Sequence, residues 1–257
     1  MSKRNKIIRP DTCPVSDESR DLLEKSFLQL IELFGKETIV NREVLVPHLS
    51  SFPIQYDGTV DSALETLNII TNQMDIDFNS INLEFYDNSN HTINSESRTG
   101  STIHVQSDDN SAIPAGQYYG KNKNEQFDIA IGHTLLYQPE NMVATIAHEL
   151  AHVKLLGEGK IEDNDEILTE LTTIIFGLGI FNANAAFQTA QNNYGFEWQS
   201  IGYLTQMEWG YALSLFAQLR NEITPSWIDY LTINIQGDFI QAQNYITASN
   251  RKIFDNI

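Results

Sequence analysis

Apolar positions along the chain fall into three stretches of different period. From Asp17 to Phe34 they recur at Leu22, Leu23, Phe27, Leu30, Ile31 and Phe34, the spacing of one helix face, with Ser16 as N-cap and Gly35 as stop. Helical spacing returns over Asp61 to Met74, through Leu64, Leu67, Ile69 and Ile70. Between them, Val44 to Gly58 carries Pro47, Pro53 and the pair Asp57-Gly58, which predicts extended, irregular chain. The middle alternates apolar and polar residues over 81–86 and 102–105. Shorter runs at 117–119 and 127–131 follow, separated by Asn- and Ser-rich turns. Three or four short antiparallel strands are expected there. From Pro139 to the end the pattern is helical, with helices expected over 139–156, 164–188, 203–221 and 225–249, the last opened by Thr224-Pro225-Ser226. Helices, a small sheet, then more helices predict an α+β fold.

Length adds a domain estimate. In 257 residues the expected layout is a loose arm over 1–15 and a single domain over 16–257, divided into an N-terminal α+β lobe (16–136) and a helical lobe (137–257). A hydrophobic fraction of 41% supplies a core, which excludes a disordered chain. One cysteine, Cys13, excludes a disulfide scaffold and a cysteine-based zinc ribbon. Sixteen Lys and Arg against 34 Asp and Glu give a net charge of −18, which disfavours nucleic acid and anionic membrane surfaces as partners. Ile7 and Ile8 alone do not make the apolar stretch of a signal peptide, and the most apolar run, 171–187, is interrupted by Gly177, Gly179, Asn182 and Asn184. A cytoplasmic location is the resulting expectation.

The chemistry concentrates at His148-Glu-Leu-Ala-His152. Residues four apart share a helix face, so His148 and His152 can both ligate one zinc ion, while Glu149 can reach a water bound to it. A chain of this composition is expected to contain about 0.01 such matches by chance. Catalytic zinc takes a third protein ligand and keeps one position open. Downstream, Glu166 and Glu170 lie on one face of the next expected helix, and either carboxylate can complete the set. Six acids lie within 158–170, so a merely solvated acidic helix start is the competing explanation. Stabilising an oxyanion opposite the metal needs a further donor, for which Tyr203, Tyr211 and His133 are candidates, Tyr203 first. Gly177 and Gly179 lack the strand context of a nucleotide loop and read as close helix packing.

HExxH followed by a Glu on the next helix resembles the gluzincin metallopeptidases, the thermolysin-like group of zincins. The resemblance implies Glu166 as third ligand and Glu170 as the residue that orients His148. Glu replaces the Asp that the group carries at the latter position, and the connection is shorter. More specifically, Phe52-Pro-Ile-Gln-Tyr-Asp-Gly, the segment from Met142 to His152, the segment from Glu166 through Phe181, Gly202-Tyr-Leu and Gly210-Tyr-Ala-Leu resemble a group of uncharacterised bacterial HExxH proteins, over about residues 50–220. A zinc-dependent hydrolase acting on a peptide or protein is the expected function. The alternative is a zincin-like regulatory or interaction protein, non-catalytic or specific for one partner. Glu149 separates the two, because a purely structural zinc needs no base beside it.

Overall fold

The computed structural model describes residues 12–86, 115–192, 195–200, 203–251 and 253–255. Among the described residues, eight α-helices and two small sheets make the fold α+β. In chain order the elements are α1 (Asp17–Phe34), α2 (Lys36–Val40), α3 (Val60–Gln73), β1 (Ile81–Tyr86), β2 (Gly116–Lys121), β3 (Phe127–Gly132), α4 (Pro139–His152), α5 (Glu166–Ile175), α6 (Gly179–Ala185), β4 (Phe187–Asn192), β5 (Gly195–Ser200), α7 (Gln206–Leu219) and α8 (Ile233–Ala248). Two compact units result. One comprises the described parts of Met1–Arg42 and Ala186–Ile257, the other Glu43–Ala185. The sequence reading placed its lobe boundary at 136/137, whereas the units part at 42/43 and 185/186. Most of the expected arm over 1–15, and the strand expected over 102–105, lie outside the described residues. No described helix is long and apolar enough to cross a membrane.

Within unit 43–185 the sheet has the order β1-β3-β2. It is mixed, not wholly antiparallel as expected: β1 runs parallel to β3 in the register Ile81↔Phe127 to Tyr86↔Gly132, and only β2 is antiparallel. Alternation reveals which side chains share a face, not the direction of a neighbouring strand. Both faces of β1 are buried, Asn82 and Glu84 included. The Asn82 amide answers that burial by donating to Asp128 at 2.8 Å and to Glu84 at 3.3 Å. After α4 the chain makes a π-helical turn over Val153–Gly157. A Cβ on Gly157 would lie 2.7 Å from the Phe127 ring, so this turn brings bare backbone against the sheet.

The single helix expected over 164–188 is two helices. Gly177 takes φ +77° between α5 and α6, and a Cβ there would lie 2.1 Å from the Glu43 carbonyl oxygen. Leu45 N–H donates to the Gly177 carbonyl, and the Gln73 amide donates to the carbonyls of both Glu43 and Phe176. The break at Gly177 therefore docks the incoming strand of chain, which is a different role from helix packing.

In the unit of Met1–Arg42 and Ala186–Ile257, α1 is capped by Ser16 and stopped by Gly35, as expected. The structure corrects the helical reading of 139 to the end: β4 and β5 form a hairpin in the register Phe187↔Ser200 to Asn192↔Gly195. Phe196 and Trp198 alternate with polar residues and follow Asn192-Asn-Tyr-Gly195, a turn signal between the helices expected over 164–188 and 203–221. The last helix is also shorter than expected. Thr224-Pro225 opens a 3-10 turn over Ser226–Tyr230, and α8 begins at Ile233. α7 and α8 approach closely because Gly210 has no side chain: a Cβ there would meet Asp238 at 2.5 Å. Arg220 ties α7 to the end of α2 by donating to the carbonyls of Ile39, Val40 and Arg42. A capping box opens α7, with Thr205 N–H donating to Glu208 and Glu208 N–H to Thr205.

Two stability measurements check these assignments. Gly177→Ala is expected to cost about 2–4 kcal/mol in urea unfolding, through left-handed strain and a backbone clash; a loss under about 0.5 kcal/mol would refute the docking role. At Glu208, burial works to raise the carboxyl, but hydrogen bonds from Ser19 and from Thr205 hold it below its ordinary value. A carboxyl lowered on folding stabilises above its unfolded pKa, and that contribution is lost as pH falls through the lower folded value. Glu208→Gln should thus cost about 0.5 kcal/mol at pH 7. The cost should shrink to nothing in acid below the ordinary carboxyl range.

Candidate metal centre

His148 and His152 lie one turn apart on α4, and Glu166 opens α5. Asp165 caps that helix by accepting from Leu168 N–H, which puts Glu166 in the first turn, where a carboxylate is favoured. His148 pairs with Glu170 while His152 pairs with Glu166, so the two helices run antiparallel at this point. One ligand atom from each of His148, His152 and Glu166 lies within 4.8 Å of the others. Glu166 Oε2 is 3.3 Å from His148 Nε2 and 3.6 Å from His152 Nε2. Yet that oxygen is buried and makes no directed hydrogen bond. Two nitrogens and one oxygen approach without pointing at one another. Ligands about 2.0–2.1 Å from a tetrahedral zinc would stand about 3.3 Å apart. The donor set therefore fits a small divalent cation.

Each imidazole is held through its other nitrogen by α5. His148 Nδ1 lies 3.7 Å from the Glu170 carboxylate, which is only 3% exposed. His152 Nδ1 lies 3.4 Å from Thr169 Oγ1. The Thr169 hydroxyl has one proton and donates it to the Asp165 carbonyl at 2.9 Å. Toward His152 it can only accept, which puts the His152 ring proton on Nδ1 and leaves Nε2 bare. The other oxygen of Glu166, Oε1, accepts from the Asn164 amide at 2.7 Å. The Tyr118 ring, from β2, stacks parallel to His152 at 6.1 Å.

Glu149 is 5% exposed, facing β2. A Cβ on Gly116 would fall 2.9 Å from Glu149 Oε1 and 2.5 Å from Thr145, so the strand passes over this carboxylate only as glycine. Burial pushes the Glu149 carboxyl up to about 7; Glu166 adds to the rise, while His148 and the Tyr118 backbone N–H oppose it. Against the downward pull of burial, the Glu166 and Glu170 carboxylates push His148 up to about 10. Burial and the charge on His148 push His152 down to about 4. Burial raises Glu166, but His148 and Asn164 hold it below its ordinary value. In the protein alone, one proton on His148 thus balances the two carboxylates around it.

Of the remaining candidates, Tyr203 and Tyr211 belong to the other unit and His133 to this one. Tyr211 is fully buried in the other unit, where its hydroxyl donates to Glu24 at 2.7 Å. Tyr203 is 61% exposed and belongs to that same unit. His133 is exposed in the 3-10 turn between β3 and α4, its ring edge-on to Tyr137. The sequence reading missed Thr169, Tyr118 and Gly116. Thr169 carried a signal, since residues 166, 169 and 170 share one helix face. The other two depend on strand placement, which local pattern does not encode.

Removing the Thr169 hydroxyl is expected to weaken metal binding about 10- to 100-fold, the usual scale for a partner behind a histidine ligand. Thr169→Val should show this in competition with a chromophoric chelator, and Thr169→Ser should restore it. Equal affinity in the Val variant would remove Thr169 from the site. Comparison with protein-family models, with curated proteins and with solved structures finds no match for this chain.

Proposed function

We propose that the chain is a zinc-dependent hydrolase with a zincin-like arrangement, and that its substrate is a peptide bond. The observation that carries this reading is the convergence of His148 Nε2, His152 Nε2 and Glu166 Oε2 without hydrogen bonds between them. His148, His152 and Glu166 would hold the ion. A bound zinc ion supplies Lewis acidity, making water a stronger acid and a carbonyl a better electrophile.

The chain's own residues account for the rest. Glu149 takes the proton from the attacking water and delivers it to the leaving amine. A carboxyl near pH 7 in affinity suits both directions of transfer. The Tyr118 N–H and the close passage of Gly116 hold that carboxylate in place. Glu170 and Thr169 keep the two imidazoles turned with Nε2 toward the shared point. A peptide substrate is supported by β2, which among the described residues stands at the edge of its sheet, directly over Glu149. Such an edge offers backbone donors and acceptors to an extended chain.

Elemental analysis of protein purified without chelator is expected to give about one zinc per chain, and His148→Ala and Glu166→Gln should lose it. Glu149→Gln should retain the metal and lose peptide cleavage by about two to four orders of magnitude. Wild-type protein that takes up no zinc when it is supplied would end the proposal. Metal without any Glu149-dependent cleavage of a peptide library would leave a binding protein instead.

A further inference from the structure

A cavity of about 390 Å³ lies in unit 43–185, against the first turns of α4. Val143, which lines it, sits about 140° around the helix from His148. The remaining walls come from the irregular segment 47–56, from α3 and from α6. That segment contains part of Phe52–Gly58, one of the stretches singled out from the sequence and given no part in the metal site.

The chemistry of the lining is specific. Three aromatic rings face the space, those of Phe52, Tyr56 and Phe181, with Phe52 and Phe181 packed edge to face at 5.5 Å. The Tyr56 hydroxyl is committed to the Leu136 carbonyl at 2.8 Å, which leaves its ring as the lining. Glu140, in the first turn of α4, is exposed and is the single carboxylate of the lining. No Lys or Arg lines the cavity among the described residues, and His48 is its one basic group. Aromatic faces attract cations, a lone carboxylate adds a charge partner, and a cavity of this size takes a small molecule.

We infer that this cavity binds a small organic ammonium ion carried on an apolar body, the ring faces and Glu140 reading the charge. The inference is independent of the metal site and of any activity there.

Calorimetric titration of the full chain at pH 8 tests it with three matched probes: 2-phenylethylammonium, 2-phenylethanol and phenylacetate. The ammonium is expected to bind about tenfold more tightly than the alcohol, and the carboxylate not measurably. In Glu140→Gln the preference for the ammonium should fall to about threefold, the share left to the ring faces. Ile54→Trp, which fills the cavity from a half-buried position, should abolish binding of both. The inference is overturned if no probe binds, if phenylacetate binds as well as the ammonium, if Glu140→Gln keeps the full preference, or if Ile54→Trp binds unchanged. The wild-type series and Glu140→Gln decide the matter without the filled variant.

Discussion

Burying ionisable groups is costly unless each finds a partner, and unit 43–185 is organised around that constraint. Glu149, His152 and Glu170 are each under a tenth exposed, with His148 and Glu166 beside them. A core of aliphatic side chains would cost nothing comparable. The cost is met by running α5 antiparallel to α4, so that every imidazole nitrogen of the HExxH pair faces a side chain of α5. Position matters as much as charge. Nδ1 of each histidine meets an acceptor on α5, and Nε2 of each meets the same oxygen of Glu166.

Several backbone features follow from this arrangement. The sheet has to come close enough to cover Glu149, and Gly116 permits it where any Cβ would collide with the carboxylate. The end of α4 has to clear the sheet, and the π-helical turn presents Gly157 there in place of a side chain. Helix α5 has to stop soon after Glu170 so that the chain entering the unit at Glu43 can dock, and Gly177 ends it. These glycines lie in three different segments but serve one requirement: dense packing around buried polar groups leaves no room for extra atoms.

The sequence made the two-helix part of the site legible, because its information is local. His148 and His152 at four-residue spacing, and Glu166 and Glu170 at the same spacing, define facing stripes before any fold is known. Thr169 lay on the same stripe but reads as an ordinary helix threonine. Its part depends on a partner seventeen residues away and on the direction of one hydroxyl proton. Strand direction was hidden for a related reason. Alternation at 81–86 and 127–131 marks faces, while the parallel pairing of β1 with β3 is set by the path of the chain between them. The hairpin of β4 and β5 shows the opposite failure, since Asn192 to Gly195 is a local turn signal that helical periodicity on both sides overrode.

The way the site is held also bears on what it can do. Glu170 and Thr169 fix the histidine rings from behind, through contacts that make no use of a metal ion. Three donor atoms therefore already converge in the protein alone, and the proton on His148 supplies the positive charge the carboxylates require. A divalent cation would replace that charge at the same place, so the ordering that binding normally has to impose has been met by folding. The same logic separates Glu149 from the other acids. It is the one carboxylate of the group that faces β2, where the Tyr118 N–H meets it, and burial rather than pairing dominates its affinity for a proton. A carboxyl in that condition can both accept and return a proton near neutrality, which is the property a general base needs and a fourth metal ligand does not.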